Sequence, residues 1–127
     1  MKKEKALNIF QIQISIIGKE DVIEGQLVRT MAPRTVERIL AKLPFTSKVV
    51  KRGNQLNVTV NIKMGKEKEA IKAKKGDIGY WPMSDTLSIF LEDAAPYGGI
   101  SIIGTITSNL DALVNLRMGT SLKIDRK

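Results

Sequence analysis

"APRTVERILAKLPF", residues 32–45, is the stretch that decides the fold. Pro33 suits the first position of a helix, where its missing N–H leaves nothing unpaired. Val36, Ile39, Leu40 and Leu43 then recur at i, i+3, i+4 and i+7, which puts four apolar side chains on one helical face. Arg34, Glu37, Arg38 and Lys42 fall mostly outside that stripe. Pro44 stops the helix, since proline cannot continue the backbone ladder. The spacing predicts a helix over about 33–43.

On both sides of this helix the period changes to two. Before it, Phe10, Ile12, Ile14 and Ile16 alternate with Gln11, Gln13 and Ser15, the pattern of a half-buried strand. "DVIEGQLVRT" reads as a second strand, with Glu24-Gly25 marking a bulge or bend. After the helix, "TSKVVK" and "QLNVTVNIKM" flank the turn residues Gly53-Asn54 and predict a hairpin. Leu56, Val58, Val60 and Ile62 point to one side of it. "GKEKE" reads as a loop leading into a short strand at Ala70–Ala73. "DIGYW" and "TLSIFL" read as strands on either side of "PMSD", and "EDAAPYGG" as a loop rich in turn residues. "ISIIGTI" is a nearly continuous apolar strand, which implies burial on both faces. Ser108, three residues before Asp111, has the form of a capping box and predicts a short second helix over about 109–115. "TSLKID" closes the chain as a last strand. Many short strands with one clear and one short helix predict a mainly β protein: a small closed barrel whose helices plug its ends. The pattern leaves the strand order open.

With 127 residues the chain is expected to be a single domain, 1–127. It has no Cys and no His. That excludes disulfides, thiolate chemistry, Ser-His-Asp and Cys-His arrangements, and the commonest metal ligand. The basic, then apolar, opening "MKKEKALNIFQIQISIIG" is interrupted by Asn8, Gln11, Gln13 and Ser15, unlike a signal peptide. No run approaches the roughly 18 apolar residues of a membrane helix. The expectation is a cytoplasmic protein with no membrane partner. The net charge of +8 raises nucleic-acid binding. The lysines, however, alternate with glutamates, as in "MGKEKEAIKAKK", and no aromatic lies inside a basic run to stack a base. No specific nucleic-acid partner is expected.

The only Trp, Trp81, stands beside Tyr80 and before Pro82. Strand neighbours point to opposite faces, so these two rings cannot share one core. Pro82 cannot donate to a ladder, which places this point at a strand end or edge. Tyr80, Trp81 and Met83, with Ser84 and Asp85 as a polar rim, are the candidate ligand-binding residues. The competing reading makes Trp81 core material and "PMSD" a plain turn. Glu92-Asp93 are adjacent and would face apart in a strand. Asp77 reads as a turn residue after Gly76. No loop spaces carboxylates for an all-oxygen metal site. "YGGISIIG" lacks the spacing of a phosphate or dinucleotide loop. No catalytic residue, no metal and no cofactor is therefore assigned.

Ala32, Pro33 and Thr35 begin a helix that resembles the Ala-Pro-x-Thr helix of the cyclophilin-type barrel. "TLSIF" is similar to that fold's Leu-Ser-Met strand, and "ISIIG" to its strand ending in a glycine, here Gly104. The resemblance is nearer to small prokaryotic cyclophilin-like proteins of unassigned function, in "LPF" after the helix and in "GDI-x-YWP", here Gly76 to Pro82. It runs from about Leu7 to Asp125 and implies a small cyclophilin-like barrel. The Phe-His-Arg, Gln-Gly-Gly-Asp and Gly-Ser-Gln-Phe-Phe segments of the prolyl isomerases are absent, so their catalytic residues have no matching positions. The function implied is a non-catalytic binding module for a small molecule or peptide. Two alternatives stand beside it. One is a prolyl isomerase with a non-standard site built on Arg34 or Arg117. The other is a protein-interaction domain or homodimer that uses a strand edge or apolar face.

Overall fold

The computed structural model describes residues 8–96 and 99–127. Alternating side chains set the strands: β1 (Ile9–Ile16), β2 (Val22–Val28), β3 (Phe45–Arg52), β4 (Gln55–Thr59), β5 (Asp77–Trp81), β6 (Thr86–Phe90), β7 (Ser101–Ser108) and β8 (Ser121–Arg126). They close into one barrel in the order β1-β2-β7-β5-β6-β4-β3-β8, every pairing antiparallel. Closure matters because a closed sheet has no unpaired rim for another chain to extend. The strand-edge interaction considered above therefore has no edge to use among the described residues. The expected bulge is present: the β2–β7 register shifts between Glu24 and Gly25.

Helix α1 spans Pro33–Lys42, and Leu43 caps it ahead of Pro44. Val36, Ile39 and Leu40 join the barrel's interior core with Ile12, Ile14, Leu56 and Val58. Side chains outside a closed ring reach its interior only through an open end, so α1 plugs one. It follows β2 and lies at the end where Ile9 faces Val28. Leu113 and Leu116 join the same core after β7, whose last residue, Ser108, faces Glu24 at the start of β2. They close the opposite end. Gly104 sits at the tightest crossing, where a Cβ would lie 2.0 Å from the carbonyl oxygen of Gln26. Only glycine fits there without moving a backbone.

Three predicted elements differ. The strand predicted to run through Met64 ends at Thr59, beyond which Asn61 and Lys63 take φ of 59° and 50° and break the extended backbone. The predicted second helix is a 3-10 turn, Leu110–Leu113. Ser108 cannot act as its cap because it remains in the β7 ladder; Asn109, at φ 67°, occupies that position, as asparagine tolerates the left-handed region. The predicted strand at Ala70–Ala73 is a single bridge, Ala73 to Ala94. Eight strands already close the ring, so this segment has no edge to join and crosses the outside of the barrel instead. No helix of the described residues is long and apolar enough to cross a membrane.

Candidate functional site

Strand β5 separates its two aromatic rings as strand geometry requires. Tyr80 points inward and is fully buried in the barrel core. Trp81 points outward into a second, smaller cluster with Ala73, Phe90 and Ile100. That outer cluster lies on β5 and β6 and is roofed by two crossing segments. Ala70 N–H donates to the Ile100 carbonyl at 2.8 Å, and Ala73 N–H to the Ala94 carbonyl at 2.8 Å. Lys68 N–H donates to Ser101 Oγ at 3.2 Å.

The inner ring is fully wired. Tyr80 O–H donates to Asp85 Oδ1 at 2.7 Å, and Met64 N–H donates to the Tyr80 hydroxyl oxygen at 3.1 Å. Asp85 Oδ1 also accepts from Ile62 N–H at 3.1 Å and Lys63 N–H at 3.0 Å. One carboxylate and one phenol thus hold the chain after β4, where the ladder has ended and Val60 and Ile62 remain buried. Burial pushes the Tyr80 phenol up to about 12, reinforced by its bond to the Asp85 carboxylate and partly opposed by the Met64 N–H. Glu67 anchors the same segment to α1. Its carboxylate accepts from Arg34 N–H at 3.0 Å, from Thr35 N–H at 2.9 Å and from Thr35 O–H at 2.9 Å. Ala32 gives the helix no side-chain cap, so Glu67 supplies one from 32 residues away along the chain. Desolvation raises the Glu67 carboxyl, but the three bonds and the Arg34 charge outweigh it and hold the group below the ordinary carboxylate range.

The outer ring is not wired. Trp81 is 7% exposed, and its buried Nε1–H has no hydrogen-bond partner among the described residues. The guanidinium of Arg52 lies over the indole, 5.3 Å from the ring centroid. Arg52, Gly53, Gln55, Trp81 and Ile100 line a cavity of about 270 Å³. The hairpin turn at Gly53, with φ +57°, brings Arg52 and Gln55 side by side across β3 and β4. Outward parity then aims both toward the Trp81 side of the sheet. Beneath them, Gln55 Nε2 donates to Asn57 Oδ1 at 2.9 Å and Ser88 Oγ at 3.0 Å, and Ser88 O–H donates to Asn57 Oδ1 at 2.7 Å. This triad is self-satisfied.

Of the five residues expected to form the site, Trp81 alone is among those lining this cavity. Tyr80 is inside the barrel and Asp85 is occupied with it. Met83 is exposed on the turn, and the Ser84 hydroxyl pairs with that of Thr86 at 3.1 Å. Asp77 Oδ2 accepts from Lys74 N–H at 2.8 Å, as a turn residue does. Arg34 lies at the helix start beside Lys63, Lys66 and Glu67, and Arg117 is exposed. Sequence reading missed Arg52, Gln55 and Ile100. The turn at Gly53-Asn54 does pair Arg52 with Gln55, but no sequence signal places β4 near β5. Among the described residues no cluster of acidic side chains could hold a metal.

A family model described as cyclophilin-like matches residues 11–125. The hypothetical protein AF2241 from Archaeoglobus fulgidus, solved in solution, superposes with a TM-score of 0.77 at 22% identity, covering 94% of this chain and 96% of its own. McbB, solved in complex with tryptophan, superposes with a TM-score of 0.70 at 15% identity, covering 91% of this chain and 44% of McbB. No curated protein matches.

Proposed function

The chain belongs to the cyclophilin-like family, and from that premise we propose that it is a non-catalytic binding module for a small molecule or a short peptide segment, held in the outer groove at Trp81. One observation carries the reading: a nearly buried indole that lines a cavity, lies under an arginine and has an unpartnered N–H. Buried donors are almost always paired, so an orphan on a ring that lines a cavity marks a place for an acceptor. The volume is near the low end of ligand pockets, which run roughly 300–1,000 Å³. It suits a metabolite or one residue of a peptide. McbB, a neighbour of the same fold, was solved with an amino acid, tryptophan.

Among the described residues nothing in the groove supplies a base or nucleophile poised for reaction. Ser88 is fully buried and spends its proton on Asn57. The chain has neither His nor Cys. The prolyl-isomerase alternative keeps one supporting feature, an arginine beside an apolar wall, but the residue is Arg52 in place of Arg34 or Arg117. A second copy of the chain as partner is supported only by exposed apolar residues such as Val50 and Met118.

Trp81 is the only tryptophan, so its emission reports this groove alone. Screening metabolites and short peptides against that emission is expected to yield ligands that shift it. A proline-peptide assay is expected to show no acceleration above background. Acceleration abolished by Arg52→Ala would replace the module reading with the enzyme, and an emission that no ligand moves would sink it.

A further inference from the structure

We infer that the groove takes a ligand through its carboxylate: a small organic acid with an apolar body, seated with one carboxylate on Arg52 and the Trp81 N–H. This rests on the binding reading above and names the chemical class of its ligand.

The argument is a count of donors and acceptors around the cavity. Its lining side chains include one cation, Arg52, and no anion. Arg52 has no carboxylate partner among the described residues, whereas Arg29, Lys66 and Lys127 each have one. The Trp81 N–H is a second donor without an acceptor. The guanidinium and the indole lie 5.3 Å apart, carbon to ring centroid. The cation and the ring therefore border the same groove. Gln55 could have competed as a donor, but both hydrogens of its amide are directed to Asn57 and Ser88. The unmet donors therefore include a charged one, and no anionic side chain lines the cavity to answer them. A carboxylate matches them because it is acceptor-only and fits the planar fork of arginine. Ile100 and the indole face then offer apolar surface to the remainder of the molecule.

The test reads the indole N–H directly. A single Trp gives one indole cross-peak in a ¹H–¹⁵N spectrum. N-acetylleucine and N-acetylleucinamide, which differ only in the carboxylate, are titrated into the full chain and into Arg52→Gln. The acid is expected to bind at least about tenfold tighter than the amide and to move the indole peak downfield. In Arg52→Gln the preference of acid over amide is expected to vanish. Arg52 is exposed, and a far-UV spectrum matching the parent confirms the fold of the variant. Equal affinities for acid and amide in the parent chain, with the peak moved by both, would overturn the carboxylate assignment and leave the binding module standing. An indole peak that neither N-acetylleucine, N-acetyltryptophan nor their amides moves up to roughly 10 mM would overturn both. A tetrapeptide ending in leucine, titrated the same way, identifies the source. Tighter binding than N-acetylleucine assigns chain termini, and equal or weaker binding assigns free acids.

Discussion

Tyr80 and Trp81 are covalent neighbours with opposite fates. Both are more than nine-tenths buried. Inside the barrel, the Tyr80 hydroxyl donates to Asp85 and accepts from Met64. Outside it, the Trp81 N–H meets no acceptor among the described residues. A buried polar atom left unpaired costs about 1–3 kcal/mol relative to one that is satisfied. The fold meets that cost on one face of β5 and leaves it standing on the other. Interior polar groups must be answered by the chain itself, because no ligand enters a filled barrel. A groove can leave a donor open for a partner from solution.

The largest effect that tests this comparison lies in the inner core. Leu40→Ala removes a side chain that fills the barrel end beside Val36 and Ile39, and is expected to cost about 2–5 kcal/mol by denaturant unfolding. An unchanged midpoint would mean that α1 is not part of the inner region.

Next comes the pair itself. Tyr80→Phe leaves the Met64 N–H without its acceptor and takes one of three donors from Asp85 Oδ1, at an expected cost of about 1–3 kcal/mol. Trp81→Phe breaks no hydrogen bond, and its cost comes from lost volume alone, so the smaller loss is expected there. The reverse order would erase the contrast. The Tyr80 phenol also carries a pH signature. Its folded pKa is raised from 10.0 to about 12, so its contribution is complete below pH 10 and fades as pH climbs toward 12. Alkaline absorbance titration is expected to show a step near 12 that Tyr80→Phe removes.

A smaller effect concerns the strap that runs from β4 over the outside of the barrel. Glu67→Gln weakens its tie to the start of α1 and is expected to cost about 1 kcal/mol, the usual worth of a helix cap. The Glu67 carboxyl is depressed in the folded state. Its contribution is therefore present above the ordinary value of 4.5 and lost as pH falls through the lower folded value. The stability gap between parent and variant is expected to close on acidification below 4.5. A gap that stays constant with pH would show that the charge of Glu67 does not act at the helix start.

The sequence by itself determined the local periods. Residues Pro33 to Leu43 could only be an amphipathic helix, and alternation along β1 and β4 fixed which side chains face inward. It also determined that Tyr80 and Trp81 must part, since strand neighbours cannot share a face. The glycine and proline signals placed the turns, and the missing His and Cys removed whole classes of chemistry. Only the tertiary structure decided what each face would meet. Closing the ring set β4 next to β6 and β6 next to β5, which brought Arg52 and Gln55 to Trp81 from about thirty positions away. The same closure denied Ala70–Ala73 a strand and sent it across the outside as a roof. It kept Ser108 in a ladder and so left Asn109 to open a 3-10 turn where a capped helix was predicted. Asp85 read as the rim of a site, yet the folded chain directs it to the core phenol and two backbone N–H groups. Local propensity is settled by residues a few positions apart. The partners of an outward side chain are settled by strand order, which a period of two does not encode.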